Sequence, residues 1–419
     1  MGKNHEVITF GCRLNIYESE IIKNNLASCD ENNVTVVNTC AVTNEAEKEA
    51  RKTIRKLKKL DPSKRIIVTG CAAQRTPEVF AKMPEVDKVI GNEEKLSPLF
   101  YNFNSERVIV NDIMSVKETA NHLISGFEGK ARAFIQVQNG CDHRCTFCSI
   151  PYGRGNNRSV PIGVIVEQIR LLLQDGFKEI VLTGVDVTAY GGDLPGKPSF
   201  AQMIRRILAL VPDLKRLRLS SIDVAEIDTD LFNLMAFEKR IMPHFHISLQ
   251  AGDNMILKRM KRRHNRDQIV EFCTSLRKLR PEVSFGADII AGFPTETDEM
   301  FDNTRRLISE IGIQYLHVFP YSEREGTPAA RMPQVPMNIR KERASILRSE
   351  GMIEMKKFFE LNIGRTVELL VENNNTAHTE NFIPVKLEGE FTPGQLVTAR
   401  LTGLLDKYMS ARVSEAKAA

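Results

Sequence analysis

The chain opens with short β-prone runs that alternate with helical stretches. Val7-Ile8-Thr9-Phe10, Val34 to Val37 and Ile66-Ile67-Val68-Thr69 read as strands. Tyr17 to Ala27 carries helical periodicity, and a charged helix is predicted over Glu45 to Leu60. A further short β and α element ends near Phe103, and the alternation predicts a parallel sheet covered by helices. From Ala131 the alternation restarts in larger units. Strands are predicted at Phe134–Gln138, Ile180–Thr183, Arg216–Ser220, Phe245–Leu249, Ser284–Ile290 and Leu316–Tyr321. Helices are predicted after them at Ile162–Leu173, Phe200–Leu210, Thr229–Phe237, Asp267–Leu279, Glu299–Ile311 and Arg340–Phe359. Six β/α units fall short of the eight of a closed barrel, so a partial, open (β/α)6 barrel is expected. After Gly364 the runs Thr366–Val371, Phe382–Leu387, Leu396–Leu401 and Met409–Val413 are short, alternating and separated by Asn, Gly and Pro, which predicts a small antiparallel barrel or sheet. The expected class is α/β, with an N-terminal open parallel domain over 1–120, the partial barrel over 127–361 and an all-β tail over 363–416.

The 419 residues suit two to four domains at roughly 100–200 residues each. Hydrophobic residues are 42% and charged residues 26%, which excludes a disordered, collagenous or disulfide-stapled chain. Lys plus Arg number 58 against 53 for Asp plus Glu, a mild excess that permits nucleic acid without demanding it. No uncharged apolar run approaches the ~18 residues of a membrane span, and no leader is evident over Met1–Phe10. A cytoplasmic protein that does not enter the membrane is expected.

The eight cysteines change the picture most. Cys141, Cys145 and Cys148 lie within one loop after the first barrel strand, at the rim where barrel enzymes place their chemistry. Three thiolates in a Cys-x3-Cys-x2-Cys run suit a 4Fe-4S cluster with one iron left open for a small molecule. The alternative is a zinc ion held by the three cysteines and His143, although His143 lies inside the tight first loop. A second triad follows from topology. Cys12, Cys40 and Cys71 each follow one of the first three strands, and loops leaving the carboxyl ends of a parallel sheet converge. They either hold a second cluster or are three small buried side chains. Cys29 and Cys273 sit in helical stretches and read as core.

At Cys141–Cys148, with Phe147 before the last cysteine, the chain resembles the radical S-adenosylmethionine enzymes. The resemblance implies that the open iron binds S-adenosylmethionine and that an electron cleaves it to a 5′-deoxyadenosyl radical. It also implies a cofactor pocket containing Thr183, Gly184 and Asp186, with Ser220 and Gln250 on later strands at the same rim. Gly11-Cys12-Arg-Leu-Asn15, Asn38-Thr39-Cys40, Gly70-Cys71-Ala-Ala-Gln74, His246 to Gly252, His317 to Thr327 and Thr379 to Phe382 are similar, over nearly the whole chain, to motifs of the methylthiotransferase family. That family is expected to carry two 4Fe-4S clusters, to draw on a flavodoxin-type electron donor and a sulfur donor, and to end in a TRAM domain that binds RNA. Arg158-Ser159-Val160 departs from relatives that often carry a second arginine at the last position.

Three function classes follow: a tRNA methylthiotransferase, the same chemistry on a ribosomal protein aspartate, and a non-enzymatic iron–sulfur or zinc RNA-binding protein. Leu14 to Glu20, Cys40 to Asn44 and Leu182 to Gly191 resemble the subgroup acting on N6-threonylcarbamoyladenosine, at the nucleotide 3′ of the tRNA anticodon, more than the subgroup acting on N6-isopentenyladenosine. Arg154 and Arg158 beside the cysteine loop are the cations expected to meet so anionic a modification. Lys258, Arg259 and Arg262 belong to a basic run that is either a solvated helix face or a phosphate track, as does the run from Arg51 to Lys59. In the tail, Phe382, Phe391 and Tyr408 are the aromatic candidates for contact with bases.

Overall fold

The computed structural model of the chain describes residues 4–29, 31–117, 126–127, 129–373 and 375–413. The expected ends of the first and third segments, 118–120 and 414–416, lie outside the described residues. The first unit runs β1 (Glu6–Thr9), α1 (Arg13–Ala27), β2 (Val34–Thr39), α2 (Asn44–Leu60), β3 (Arg65–Gly70), α3 (Cys71–Arg75), α4 (Pro77–Ala81), β4 (Lys88–Ile90) and β5 (Val108–Ile109). Its five strands pair in parallel in sequence order. Ile22 and Leu26 of α1 pack with Val34, Val36 and Ile67 on one face, while Ile54 of α2 packs with Val37, Ile66 and Val68 on the other. Helix α2 has few apolar residues and relies on its ends: Thr43 accepts from Ala46 N, Glu45 and Glu47 lie in the first turn, and Lys58 and Lys59 in the last.

The central unit contains β6 (Ala133–Gln136), β7 (Gln138–Asn139), α5 (Ile150–Arg154), β8 (Arg158–Ser159), α6 (Ile162–Gln174), β9 (Glu179–Thr183), α7 (Phe200–Leu210), β10 (Arg216–Leu219) and α8 (Thr229–Phe237). It continues with β11 (His244–Gln250), α9 (Asn254–Arg259), α10 (Arg266–Leu279), β12 (Ser284–Ala291), α11 (Asp298–Ile311), β13 (Tyr315–Pro320) and α12 (Met337–Asn362). Strands β6, β9 and β10 form one parallel sheet and β11, β12 and β13 another. Parallel bridges Leu217↔Ile241 and Ile222↔Ile247 join the two into one six-stranded arc, the expected partial barrel. Capping boxes at Ser199/Gln202 and Asn265/Gln268 start α7 and α10. Leu217, Leu219, Phe245, Ile247, Phe285 and Ala287 point outward into the core beneath the helices. The alternate residues face the lumen, which is polar: Glu179 and Arg218, then Asp288, which the register sets opposite His317 and which His246 reaches at 3.1 Å.

The tail is a closed barrel of β14 (Thr366–Asn373), β15 (Thr376–His378), β16 (Pro384–Leu387), β18 (Tyr408–Val413) and β17 (Leu396–Leu405), in that spatial order. One pair, β16 with β18, is parallel, where an all-antiparallel barrel was expected. Strand β15 is also additional; three residues with one buried side chain leave little pattern to read. The predicted strand from Phe382 begins instead at Pro384, because Phe382 turns a corner with φ +70°. The tail docks on the end of the central barrel where the strands begin. Arg216 Nη1 pairs with Glu368 at 3.2 Å, Arg132 Nη2 with Glu372 at 2.5 Å, and Ser284 Oγ donates to Asn381 O at 2.7 Å. No helix among the described residues is long and apolar enough to cross a membrane.

Candidate active site between two cysteine triads

The loop carrying Cys141, Cys145 and Cys148 leaves the rim after β7 and is tied down along its length. Cys141 N donates to Gly155 O at 3.0 Å, and Thr146 N donates to Met260 O at 3.1 Å. Thr146 Oγ1 donates to Arg259 O at 2.8 Å, and Phe147 meets Phe293 edge to face at 6.4 Å. Gly140 makes the turn possible. Its φ is +72°, and a Cβ there would lie 1.8 Å from Asn156 O. Gly140→Ala combines left-handed strain with forced packing and is expected to destabilise the protein by on the order of 3 kcal/mol, seen as a lower denaturant midpoint.

Burial pushes the Cys148 thiol up to about 11 and raises Cys141 further, with Asp186 adding to the effect there. Three thiolates in this loop therefore need a compensating positive centre. His143 Nε2 is paired with Asp186 at 2.9 Å and Glu226 at 3.4 Å. Cys141, His143 and Asp186 form a tight group, but neither Cys145 nor Cys148 joins it, as a Cys3His zinc site would require. Around one zinc ion, ligands at ~2.0–2.3 Å would draw all three sulfurs close together. Neither cysteine triad is drawn so tightly among the described residues, which suits a larger multi-iron centre. Arg262 completes this side: Nη1 lies 3.7 Å from Cys145 Sγ, while Nη2 bonds Asp223 and Ser248 O, both at 3.0 Å. It faces the cysteines, whereas Lys258 is exposed and Arg259 donates to Thr295 O at 3.2 Å.

Cys12, Cys40 and Cys71 follow β1, β2 and β3, which are adjacent, so the three stand along about 10 Å of one sheet edge at ~4.8 Å per strand. A Cβ on Gly11 would lie 2.7 Å from Cys40 Sγ, which shows how closely the loop of Cys12 passes Cys40. Burial pushes the Cys40 thiol up to about 12, with Cys71 and then Cys12 contributing in the same direction. Cys12 is exposed, and Cys40 and Cys71 are buried. Cys29 and Cys273 are buried core residues.

The two triads face each other. Ser149, next to Cys148, donates from Oγ to the carbonyl of Ala41, next to Cys40, at 3.3 Å. Gly153 lies against Cys71, and Asn92 Nδ2 reaches both Cys71 Sγ, at 3.7 Å, and Gly153 O. Behind this contact Arg154 bonds Glu18 Oε1 at 2.8 Å, Asn15 Oδ1 at 2.6 Å and Asn139 Oδ1 at 3.1 Å, and Lys95 bonds the other oxygen of Glu18 at 2.7 Å. Burial alone would raise the carboxyl of Glu18, but Arg154 and Lys95 bring it down to about 2.

This placement corrects the expectation for the two arginines. Arg154 is 1% exposed and joins the domains, so no RNA phosphate or anionic substituent reaches it. Arg158 is likewise buried, donating to Asn156 O and Arg154 O, both at 3.1 Å. Phe382 is corrected as well. It stacks on His244 at 4.7 Å, with Arg218 and Arg132 at 4.9 and 5.1 Å from its ring, and so wedges the tail onto the barrel instead of offering a platform for a base.

The remaining expected residues line the rim. Thr183 ends β9, and Asp186 lies 3.9 Å from Cys141 Sγ. A Cβ on Gly184 would lie 2.8 Å from Gln138 Oε1. Ser220 Oγ is buried with no hydrogen bond among the described residues, and Gln250 ends β11 at φ +68°, just past a bulge. Sequence reasoning missed Gln138, whose Oε1 accepts from Val185 N at 2.9 Å and Asp186 N at 2.8 Å, fixing the loop beside Cys141. It also missed Asp223, which bonds Arg262 and Arg263 and lies 3.4 Å from His264. Neither carries a local signal beyond its place at a strand end.

Residues 135–308 match the radical SAM superfamily, and residues 4–91 match a family described as uncharacterized protein family UPF0004. The chain is 67% identical to the threonylcarbamoyladenosine tRNA methylthiotransferase MtaB of Rickettsia prowazekii, over 96% of both chains. The chain belongs to the threonylcarbamoyladenosine tRNA methylthiotransferase family. The MtaB protein of Aquifex aeolicus is 39% identical over 93% of this chain and 98% of its own. More distant is the tRNA-2-methylthio-N(6)-dimethylallyladenosine synthase of Ehrlichia chaffeensis, at 32% over 91% and 90%. The radical S-adenosylmethionine methyltransferase TsrM of Kitasatospora setae shares the fold at TM-score 0.57 and 15% identity, over 78% of this chain and 76% of that one.

Proposed function

We infer that the chain is a tRNA methylthiotransferase that adds a methylthio group to C2 of N6-threonylcarbamoyladenosine beside the anticodon. Family membership supports the activity, and the contact of two three-cysteine loops through Ser149 and Ala41 is the observation that carries it. Cys141, Cys145 and Cys148 would hold one 4Fe-4S cluster, and Cys12, Cys40 and Cys71 the other. When bound, the clusters and S-adenosylmethionine supply hydrogen abstraction at an unactivated carbon and transfer of the methylthio group.

The chain's own residues set the stage for that chemistry. Gln138 orients the loop of Val185 and Asp186 at the rim, where Thr183, Gly184, Ser220 and Gln250 would complete the S-adenosylmethionine pocket. Asp223 holds Arg262 beside Cys145, placing positive charge next to an anionic centre. The Glu18–Arg154 pair fixes the separation of the two triads, so a base between them meets both at once. This reading divides the chain at 1–120, 127–361 and 363–416, with the tail a TRAM-type RNA-binding barrel. It places the protein in the cytoplasm, where tRNA, a flavodoxin-type reductant and a sulfur donor are available. Nucleosides from cells lacking the gene are expected to lose the 2-methylthio derivative of N6-threonylcarbamoyladenosine and to accumulate its precursor by mass spectrometry. Loss of the methylthio-isopentenyl nucleoside instead would overturn the substrate.

A further inference from the structure

The lumen of the central barrel holds another group of metal-type donors, separate from both cysteine triads. His246, Asp288 and His317 stand on β11, β12 and β13, three neighbouring parallel strands. His246 Nε2 lies 3.1 Å from Asp288 Oδ1, and His317 Nδ1 lies 3.3 Å from the same oxygen. The two imidazole rings are 5.0 Å apart, and one donor atom from each of the three residues falls within 4.8 Å of the others. Ligand atoms held at ~2.1 Å around one ion stand about 3.0–3.4 Å apart, for angles between octahedral and tetrahedral. Both contacts to Asp288 have that spacing.

The backbone builds this arrangement. Asp288 pairs in register with His317, whereas His246 pairs with Gly286, two residues before Asp288 on the same face. A Cβ at Gly286 would lie 2.5 Å from His246 Nδ1, so the glycine makes room for the ring that carries Nε2 across to Asp288. Two residues before His246, the ring of His244 stacks on Phe382, and the tail covers the strand-start end below the group. Above, the group is open: the side chains of His317 and Asp288 are 61% and 30% exposed. The charge pattern also singles out this carboxylate. Glu179, in the same lumen, is neutralised by Arg132, Arg216 and Arg218. Among the described residues no lysine or arginine pairs with Asp288, whose partners are the two imidazoles.

We propose that His246, Asp288 and His317 form a mononuclear site for a divalent first-row transition-metal ion. Two imidazoles with one carboxylate suit such an ion better than magnesium or calcium, which favour oxygen ligands throughout. Strands hold all three side chains, so the donors are set before the ion arrives. Three protein ligands leave the other positions to water, or to an oxygen or nitrogen ligand entering from above. The site is independent of the substrate reading and adds a further centre to the two cysteine triads.

The test measures metal content and needs no turnover. Zinc is added to the full chain after its iron–sulfur centres are reconstituted, and the protein is then gel-filtered and analysed for both metals. The wild type is expected to retain about one zinc per chain beyond its iron. His317→Ala, which removes the most exposed of the three ligands, is expected to lose that zinc with its iron unchanged. Asp288→Asn keeps the shape and removes the charge, and is expected to weaken zinc binding by roughly 10–100-fold or more. X-ray absorption at the zinc edge separates this site from stray binding to thiols. Nitrogen and oxygen neighbours at about 2.0–2.1 Å support the site, and sulfur near ~2.3 Å overturns it. That spectrum is read on the wild type, so it decides even where a variant folds poorly. Zinc retained undiminished by either variant overturns the site. Since zinc suits these donors, so does a wild type that retains none.

Discussion

Replacing Cys141, Cys145 or Cys148 by alanine is expected to reduce S-adenosylmethionine cleavage to background, read as 5′-deoxyadenosine formed under dithionite. All three thiols lie in one short loop pinned by Cys141 N, Thr146 and Phe147, so no neighbouring cysteine can swing in to replace a lost ligand. Replacing Cys12, Cys40 and Cys71 together is expected to have a different result: roughly half of the iron is lost and cleavage continues, but no methylthio nucleoside forms. The separation follows from the topology, since the second triad stands on its own sheet edge. Cleavage that persists after the loop cysteines are gone, or product from the N-terminal triple variant, would refute the assignment.

Glu18→Gln is expected to cost about 3–5 kcal/mol of stability, because it leaves both Arg154 and Lys95 buried without their counter-charge. Thermal denaturation and iron content read the two consequences. The melting temperature falls, and both centres lose iron because the contact between the triads loosens. Asp302→Asn breaks a half-exposed pair with Arg305 and is expected to change stability by less than about 1 kcal/mol, giving an internal comparison. The Glu18 carboxyl also predicts a pH dependence. Its pKa is about 2 in the folded protein against an ordinary 4.5, so its contribution is fully present above about 4.5 and declines as the pH falls toward 2. Glu18→Gln should flatten the stability profile in that acid window and leave its shape unchanged at neutral pH.

How much of this was legible in the sequence depends on the range over which each feature is encoded. Phe200–Leu210 and Thr229–Phe237 match the observed helices residue for residue, since both have caps and an apolar face written locally. The cysteine loops were legible because each sits at the end of a recognisable strand. Arg154 was misread because its partner is Glu18, 136 positions away, and a basic residue near a reactive loop looks the same whether it meets a ligand or a buried carboxylate. Phe382 was misread for a similar reason: its corner and its stacking partner His244 belong to different domains.

The tail barrel is anchored where the central strands begin, and the cysteine loop lies where they end. Seven residues of β11 at about 3.3 Å each put roughly 20 Å between those two levels. If the tail binds RNA as proposed, the two levels would be engaged by parts of one RNA that far apart. That spacing sets a length: a substrate meeting both levels would have to cover it, as a stem-loop does and a free nucleoside does not.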